Sequence, residues 1–455
     1  MAAGAVQRSR KVGVEVGVDG LPPGPREPTL RQIVRFVWRP AEFMEECHRR
    51  YGEVFSARIQ RGGHPFVFLV DPTAIREVLT GPPEVFRSGE ANAVFSSLLG
   101  RYSLLVLDGP EHVRERRLML PPFHGERMRS HQQMIGEIAE RAVSRWPVGT
   151  PFPVATSTRA IALEIILRAV IGIDEADRLE LLSARLRRVL DISSSPWSVL
   201  ALLLTHPKGF VMRHASGRTP LLSSVNDLLF DHIARRRADP RLSERTDVLS
   251  ILLQARDEDG APLGDQHLRD ELISLLLAGH ETTATALAWA LERLAHNPEV
   301  YERLADESAP DADAFMEATI QETLRLRPVF MFVVRQLAEP ATIAGYRLPA
   351  GTVLTPCTHL VHRRPDIYPA PSAFRPERFL EESPGTYTWL PFGGGTRRCI
   401  GASFATHEMK TILRTITRAG RPLPADRAPE TVRRRGITLA PSADARIVFQ
   451  PHTTG

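Results

Sequence analysis

The chain has 455 residues, of which 43% are hydrophobic and 24% are charged, and it contains three cysteines. These fractions are typical of a globular protein and exclude a disordered, collagen-like or disulfide-stapled chain. The formal net charge of +5 is mildly positive, but the arginine runs at 235–237 and 433–435 lack the interleaved aromatic residues typical of nucleic-acid binding, so nucleic acid is not an expected partner.

The first 20 residues show no hydrophobic periodicity and predict a flexible tail, after which Pro22-Pro23-Gly24-Pro25 introduces the folded body. Apolar runs predict a strand pair at about 54–59 and 65–70, around a glycine turn. The longest apolar runs fall far short of the ~20 residues that cross a bilayer. No hydrophobic signal segment follows the basic N-terminus. We therefore expect a cytoplasmic protein with no membrane anchor.

Helical spacing dominates the sequence from about residue 72 to 307. Within this region Asp247 is predicted to cap a helix that ends at Gly260. A longer helix is predicted from about 265 to 296, and a further one from about 312 to 326. These segments account for most of the middle of the chain, which is therefore expected to be helical.

The last third of the sequence has a different character. Short strands are predicted from about 329 to 353 with a turn at Gly351, and the stretch 363–391 is proline-rich without a helical period. A final helix is predicted from about 402 to 419. Because no internal repeat or long linker interrupts the chain, we expect a mainly α fold with a minor β-sheet region, in a single domain that spans residues 21–455.

A cysteine lies in a glycine-rich segment, Pro391–Gly401, just before the final predicted helix. Three glycines permit a tight turn and the close approach of a bulky, flat ligand. Backbone N–H groups near a helix N-terminus and two neighbouring arginines favour a thiolate at Cys399, and a thiolate is the form that binds iron. From these features alone, an incidental buried cysteine in a strand-to-helix turn is an equally good interpretation.

The residues around this cysteine resemble the haem-binding loop of the cytochrome P450 family, the haem-thiolate monooxygenases. The match to Phe-Gly-x-Gly-x-Arg-x-Cys-x-Gly runs over Phe392–Gly401. The resemblance implies that Cys399 is the axial iron ligand of a haem b, that Phe392 packs beside it, and that Arg397 binds a haem propionate. Many relatives carry His at the position of Arg397. No Cys-x-x-Cys-His sequence is present, which argues against covalent attachment of the haem.

A second match lies in the centre of the long predicted helix, at Ala278-Gly279-His280-Glu281-Thr282-Thr283. A glycine there costs about 1 kcal/mol relative to alanine, and buried polar side chains cost more unless they find partners. The resemblance implies that Ala278 and Gly279 lie against the haem where the helix locally opens. It also implies that Glu281 and Thr282 are the catalytic acid–alcohol pair that delivers protons. The alternative is an ordinary helix, with a hydroxyl back-bond from Thr282 and a solvent-facing Glu281.

Basic residues elsewhere match the groups that bind the haem propionates in this family. His112 and Arg116 are four residues apart in a segment that resembles the family's propionate-binding helix, so they share one face. Arg335 matches the arginine of the strand that lines the haem edge. Taken one at a time, each of these three residues is equally well explained as a surface charge.

Three further residues match the Glu–Arg–Arg network of the family. Glu322 and Arg325 are three residues apart on a predicted helix, and Arg378 follows in the proline-rich stretch. We interpret them as supports of the cysteine loop, not as catalysts. A competing zinc site in the segment Cys357–His362 lacks a fourth ligand at a familiar spacing.

The resemblance spans residues 21 to about 449 and implies a triangular, mainly helical haem domain of the bacterial type. Its expected reaction inserts one oxygen atom from O2 into a lipophilic small molecule, by hydroxylation or epoxidation, and reduces the other atom to water. Because no redox module is fused to the chain, electrons are expected from a separate ferredoxin and its NAD(P)H-dependent reductase. A monomer is expected.

Two other functions are compatible with the same fold. One is a peroxide-driven peroxygenase, which would not need the acid–alcohol pair, so the presence of Glu281 and Thr282 argues against it. The other is a non-catalytic haem-binding or sensor protein with the same fold, which the presence of Glu281, Thr282 and Cys399 disfavours. The expected substrate pocket is apolar and rich in aromatic residues. It is predicted to be lined by about 84–107, 191–212, 275–278, 329–334 and 436–439.

Overall fold

A computed structural model describes residues 20–123, 130–204, 222–256 and 260–452, so the predicted tail lies outside the described residues except for Gly20. The helices of this part of the chain are α1 (Thr29–Trp38), α2 (Pro40–Tyr51), α3 (Pro72–Thr80), α4 (Ser88–Ala91), α5 (Ser96–Leu99), α6 (Gly109–Met119), α7 (Gln132–Val143), α8 (Val154–Ile166), α9 (Ala176–Ser193), α10 (Pro196–Leu204), α11 (Ser223–Arg237), α12 (Val248–Gln254), α13 (Asp265–His296), α14 (Pro298–Ala305), α15 (Ala312–Leu326), α16 (Thr358–Val361), α17 (Arg378–Glu381) and α18 (Ala402–Ala419). Most of the secondary structure is therefore helical.

The strands are short and form small sheets. They are β1 (Val54–Ala57), β2 (Phe66–Leu69), β3 (Phe86–Arg87), β4 (Pro151–Pro153), β5 (Arg335–Leu337), β6 (Ala341–Ile343), β7 (Tyr346–Leu348), β8 (Val353–Pro356), β9 (Gly420–Pro424), β10 (Val432–Arg435), β11 (Thr438–Pro441) and β12 (Arg446–Pro451). The largest sheet has the order β1-β2-β8-β5-β3, and a second has the order β4-β12-β9. β6 pairs with β7, and β10 pairs with β11.

Several predicted elements have the bounds that the sequence pattern indicated. The predicted strand pair is the antiparallel pair β1–β2, in which Val54 lies opposite Leu69. The long helix α13, helix α15 and the final helix α18 begin and end at the predicted residues. The mainly α fold with a minor β-sheet region is confirmed.

One predicted boundary is wrong. Asp247 caps α12 as expected, since its side chain accepts a hydrogen bond from the backbone N–H of Ser250. The helix nevertheless ends at Gln254, well before Gly260. Ala255 already has an extended backbone, and Arg256 then pairs with Pro262 in an isolated bridge. Gly260, with a φ of 78°, lies in a bend before Pro262 and does not end the helix.

Helix α13 runs through the larger hydrophobic core and fixes the position of the elements around it. Most of its residues are buried, and it packs along α8. Trp289, which is fully buried, donates a 2.9 Å hydrogen bond from its indole N–H to the carbonyl of Leu439 in β11. This bond fastens the β10–β11 hairpin to the same helix. Within the described ranges, none of the helices combines the length and the hydropathy that a membrane crossing requires.

Candidate functional site

The cysteine loop is a tight turn that leads into α18. The Cys399 N–H donates to the carbonyl of Phe392 at 2.9 Å, and Gly393 and Gly395 have φ angles of 66° and 65°. A Cβ at position 395 would lie 1.8 Å from the carbonyl oxygen of Leu79 in α3. The predicted need for glycine is therefore explained at this position by the positive φ and by the close approach of α3.

The Cys399 thiol is accessible to solvent although protein surrounds it. Its side chain is exposed, yet burial is the largest influence on its pKa and raises it. Both observations fit a side chain that lines an internal space. The backbone N–H of Gly401 and the guanidinium groups of Arg398 and Arg116 lower the pKa, as predicted, but burial outweighs them. The expectation that these groups make the thiolate the favoured form is therefore wrong for the protein alone.

One face of the long helix α13 is open at the predicted motif. Ala278 is exposed and Thr282 is partly exposed, four residues further along, whereas most neighbouring residues are buried. The Thr282 hydroxyl donates a 2.7 Å hydrogen bond to the carbonyl of Ala278. The helix is continuous through this segment. The predicted local opening is therefore not seen, because the back-bond is accommodated without interrupting the helix.

Gly279 lies where α13 packs closely against α8, and the helix does not open locally there as the resemblance implied. A Cβ at this position would lie 2.7 Å from the Cδ1 atom of Ile166, at the end of α8. The glycine therefore permits close packing of α13 against α8. The adjacent His280 also faces this side, since its Nε2 lies 3.0 Å from the carbonyl oxygen of Arg159. Burial lowers the pKa of His280 to about 4.

Glu281 is buried and paired, not solvent-facing as in the alternative interpretation. Its Oε1 accepts a 2.8 Å hydrogen bond from Nε of Arg435, which also pairs with Asp191 at 3.1 Å. Burial raises the pKa of Glu281, and this effect exceeds the opposing influence of Arg435 and Arg159. The sequence analysis missed Arg435, which is 154 residues away along the chain. The local feature that could have drawn attention to Arg435 is the arginine run at 433–435.

The structure brings the predicted propionate-binding residues together. Burial lowers the pKa of His112 to about 3, and the positive charges of Arg397, Arg116 and Arg335 lower it further. These four side chains come from α6, from β5 and from the cysteine loop. They form one positively charged cluster beside the loop that carries the accessible thiol.

Each arginine of this cluster also has a protein partner. Arg335 donates to the carbonyl of Val334 at 2.8 Å and lies 3.3 Å from the Ser88 hydroxyl. Arg116 donates to the carbonyl of Arg398 at 2.7 Å. Among the described residues, no carboxylate lies within salt-bridge distance of Arg116 or Arg335. Burial lowers the pKa of Arg335 to about 10, with a further contribution from Arg397.

Asp108 is a second residue that the sequence analysis missed. Its carboxylate pairs with Arg397 and accepts hydrogen bonds from the three successive backbone N–H groups of residues 88–90, at 2.8–3.0 Å. The available signal was its place directly before the helical sequence Gly109–Met119, which suggests an N-cap. The side chain makes no cap bond there. Among the described residues it is the one carboxylate that pairs with an arginine of this cluster, so the three arginines keep an excess of positive charge there.

The Glu–Arg–Arg network is present and buried. Arg325 donates to both oxygens of Glu322, at 2.6 and 2.8 Å, and Nε of Arg378 lies 3.1 Å from the same carboxylate. Arg325 also donates to the backbone carbonyl of His362, just before the proline-rich stretch, and to those of Pro371 and Ala373 within it. The predicted network is therefore confirmed as a set of contacts that joins α15 to this stretch.

An aromatic contact continues from α15 to the cysteine loop. The indole N–H of Trp389 donates to the carbonyl of Gln321 at 3.2 Å, and the ring of Trp389 meets Phe392 edge-on with centroids 6.0 Å apart. Phe392 therefore lies between Trp389 and Cys399, and its carbonyl accepts a hydrogen bond from the Cys399 N–H. The position of Phe392 fits its predicted place beside the cysteine.

The side chains of the competing zinc site have other partners. His362 uses both ring nitrogens in contacts with the backbone, at the carbonyl of Arg325 (3.1 Å) and the N–H of Leu390 (2.8 Å). His359 pairs with Glu45 at 2.9 Å. Burial raises the pKa of Cys357 to about 12. These contacts engage the polar atoms of His362 and His359 that a zinc site would need.

The predicted pocket residues are only partly placed where expected. Val329 and Met331 are buried, whereas Trp197 is 69% exposed and Ile437 is 50% exposed. Trp197 packs edge-on against Trp38, at a centroid distance of 5.4 Å. Within the predicted pocket segment 191–212, Trp197 therefore contacts α1, against which α10 packs. The part of the predicted segment 191–212 beyond residue 204 lies outside the described residues.

Comparison with known proteins was consistent across sequence and structure. The family model for cytochrome P450 matches residues 22–443. The chain is 43% identical over 434 residues to cytochrome P450 135B1 of Mycobacterium tuberculosis, covering 94% of this chain and 91% of that protein. It is 39% identical over 404 residues to cytochrome P450 137 of the same organism, covering 89% of this chain and 84% of that protein.

Two solved structures resemble the fold at low sequence identity. A cyanobacterial CYP120A1 with bound retinoic acid superposes with a TM-score of 0.78 at 22% identity, covering 95% of this chain and 99% of that chain. The haem domain of cytochrome P450DA gives a TM-score of 0.79 at 22% identity, covering 95% of this chain and 98% of that chain. These two similarities concern the fold.

Proposed function

Because the chain belongs to the cytochrome P450 family, whose members are haem monooxygenases, we propose that it inserts one oxygen atom from O2 into a lipophilic small molecule, by hydroxylation or epoxidation. We further propose that residues 21–455 form one haem domain of a monomeric bacterial protein of the cytoplasm. A separate ferredoxin and its NAD(P)H-dependent reductase would supply the electrons.

The observation that carries the proposal is the convergence of His112, Arg116, Arg335 and Arg397 beside an accessible Cys399. A haem b presents two propionates at one edge, and arginines bind carboxylates with planar, bidentate geometry. In the described part of the chain Asp108 is the carboxylate paired with these three arginines, so two further negative charges suit the cluster. The residues therefore fit the group, with Arg and His at the propionates and Cys399 at the iron.

The raised pKa of Cys399 is compatible with this role. Burial disfavours the thiolate in the protein alone. A thiol that coordinates a metal cation loses its proton outright, because the attraction between the cation and the thiolate outweighs the cost of burying the thiolate. Arg116 and Arg398 and the Gly401 N–H then assist, because each lowers the pKa of this thiol.

The bound haem supplies the activation of oxygen, and the surrounding residues position protons and substrate. Ala278 and Thr282 share the open face of α13, so the Thr282 hydroxyl is available on the side where substrate would lie. Glu281 has a raised pKa and an oxygen, Oε2, without a hydrogen-bond partner among the described residues. We propose that Thr282 donates the proton at the site and that Glu281 replenishes it.

The proposed ferredoxin partner is supported by the surface of α6. Arg114 and Arg117 are exposed on this helix, and Arg398 is exposed next to Cys399. An acidic redox protein is attracted to such a patch, which raises the association rate. The lipophilic substrate is supported by the apolar residues at Val329 and Met331.

The carbon monoxide spectrum of the reduced protein tests the haem-thiolate assignment. Wild-type protein should show the red-shifted Soret band of thiolate ligation, and Cys399→Ser should lose it. A wild-type spectrum typical of histidine ligation would overturn the proposal. Oxidation of NAD(P)H with a surrogate ferredoxin pair then separates a monooxygenase from a peroxide-driven peroxygenase and from a non-catalytic haem protein.

A further inference from the structure

A cluster of two carboxylates and one imidazole lies away from the groups described above. Glu115 on α6 and His267 and Glu271 on α13 each offer one ligand atom, and these atoms all lie within 4.8 Å of one another. His267 and Glu271 are four residues apart, so they share one face of the helix. Glu115 projects towards the same face from α6, because its Oε2 lies 2.8 Å from His267 Nε2.

The polar atoms of this cluster are poorly satisfied by the protein. Glu115 is 5% exposed and Glu271 is 2% exposed. Glu115 Oε1 and Glu271 Oε2 have no hydrogen-bond partner among the described residues. His267 Nε2 is close to Glu115 but is not aligned with it as a hydrogen bond. Buried carboxylate oxygens without a partner destabilise a fold unless another group satisfies them.

Charge in this cluster is also uncompensated. No arginine or lysine in the described ranges lies within salt-bridge distance of Glu115 or Glu271. Asp270, next in sequence, is already paired with Arg269 at 3.0 Å. Burial raises the pKa of Glu271 well above its usual value, and the negative charges of Glu115 and Asp270 raise it further. The cluster therefore favours either a bound cation or a retained proton.

We propose that Glu115, His267 and Glu271 bind one divalent transition-metal ion, with Zn²⁺ as its representative. One imidazole nitrogen and two carboxylate oxygens are a donor set that zinc accepts, at ~2.0–2.2 Å from each ligand atom. Ligands of one ion at these distances stand roughly 3–3.5 Å apart, which the separations in the cluster reach with small side-chain movements. His267 is partly exposed, so an ion has a path from solvent.

The position of this site explains what a bound ion would do. Glu115 precedes Arg116 on α6, and Glu271 accepts a 3.0 Å hydrogen bond from the backbone N–H of Leu104. The Tyr102 ring stacks on His267 at a centroid distance of 4.6 Å. The ion would therefore fasten α6 and the segment 102–104 to α13, and binding to the folded state alone would raise its stability.

Zinc titration of the haem-loaded protein tests the proposal. After chelator treatment and dialysis, calorimetric titration with ZnCl2 near pH 7.5 should give one saturable site, and the melting temperature should rise with zinc. Mg²⁺ should bind much more weakly, because it prefers oxygen ligands in octahedral geometry. Glu115→Gln and Glu271→Gln should each weaken zinc binding by about tenfold or more.

Two further variants, His267→Asn in the cluster and Glu45→Gln outside it, separate loss of the zinc site from poor folding. His267→Asn changes a partly exposed side chain, so it reports on the site even if a buried Gln variant folds poorly, and it should lose zinc binding equally. Glu45→Gln alters the His359–Glu45 pair, which belongs to no group of three metal-ligating side chains among the described residues, and should bind zinc as wild type does. The proposal is wrong if wild type shows no saturable zinc binding, if the double variant Glu115→Gln/Glu271→Gln still binds, or if Glu45→Gln loses as much affinity.

Discussion

Single side chains decide where protons are held in this protein. Glu281 lies beside Thr282 in sequence, but the two side chains have different surroundings. Thr282 is partly exposed and bonded to its own helix, whereas Glu281 is buried against Arg435. Successive residues of a helix point in directions about 100° apart. Thr282 can therefore lie on the open face of α13, where the reaction is proposed, while Glu281 contacts the β10–β11 hairpin.

We expect Thr282→Ala to separate oxygen consumption from product formation. The substitution removes a hydroxyl donor and leaves the thiol and the basic cluster in place. NAD(P)H should still be oxidised, but more of the reduced oxygen should leave as hydrogen peroxide. Coupling efficiency and peroxide yield measure this effect. Thr283→Ala is the matched control, because Thr283 is buried away from the open face, and equal loss of coupling in both variants would contradict the assignment.

For Glu281 we expect a different kinetic effect. Glu281→Gln keeps the shape of the side chain and removes its titratable proton, so NAD(P)H oxidation itself should slow in the presence of substrate and redox partners. Asp191→Asn changes the other carboxylate that pairs with Arg435, and it should leave this rate unchanged. A rate in Glu281→Gln equal to that of wild type would mean that protons reach Thr282 by another route.

At the scale of elements, the cysteine loop is held by α3 on one side and by α15 on the other. Gly395 lies against the Leu79 carbonyl, whereas Trp389 links the loop to the end of α15. Neither support is adjacent to the loop in sequence. The loop geometry therefore depends on the correct packing of two distant helices.

Gly395→Ala should disrupt this loop, whereas Gly401→Ala should be tolerated. At position 395 the new Cβ would meet the Leu79 carbonyl oxygen at 1.8 Å, and the φ of 65° is unfavourable for alanine. We expect a loss of more than about 2 kcal/mol and low haem content. At position 401 a Cβ would meet nothing within 4 Å. Haem content and thermal unfolding measure both effects, and equal behaviour of the two variants would contradict the explanation.

Glu322→Ala and Arg325→Ala should give poorly folded, haem-poor protein. Each removes one partner of a fully buried pair and leaves the other charge unpaired, at a cost of ~3–5 kcal/mol. Glu317→Ala is the control on the same helix. Its 2.6 Å pair with Lys410 is partly exposed, so its loss should change stability by ~0–1 kcal/mol. Full haem occupancy and a wild-type melting temperature in Glu322→Ala would exclude the supporting role.

For the whole molecule, the buried ionisable groups couple stability to pH. Burial raises the pKa of Glu408 in α18 from 4.5 to about 8. Between these values the folded protein binds a proton that the unfolded chain has released. The free energy of unfolding should therefore fall by ~1.4 kcal/mol per pH unit as pH rises, until Glu408 ionises in the folded state near pH 8.

Glu408→Gln should remove this pH dependence. The variant cannot release the proton, so the wild-type profile should fall relative to the variant between about pH 6.5 and 8 and run parallel to it above. Buried histidines such as His280, with a pKa of about 4, act with the opposite sign at lower pH, which is why the comparison starts at 6.5. Urea unfolding at a series of pH values measures the difference. Parallel profiles throughout this window would contradict a buried, protonated Glu408.

The amino-acid sequence by itself determined the helix bounds of α13, α15 and α18 and, through the cysteine motif, the protein family. Helix periodicity is a local property, because side chains three and four residues apart share a face whatever the rest of the chain does. The cysteine motif is also local, since it occupies the consecutive residues Phe392–Gly401. The family and the main architecture followed from such local patterns.

Only the tertiary structure decided the partners of the functional residues. Arg435 reaches Glu281 from 154 residues away, Ile166 explains Gly279, and Asp108 proves to be the carboxylate of the basic cluster. The pKa of Cys399 is raised because the effect of burial exceeds that of the nearby arginines, which lower it. Burial and long-range contacts are sums over the whole fold, so no segment of the sequence contains them.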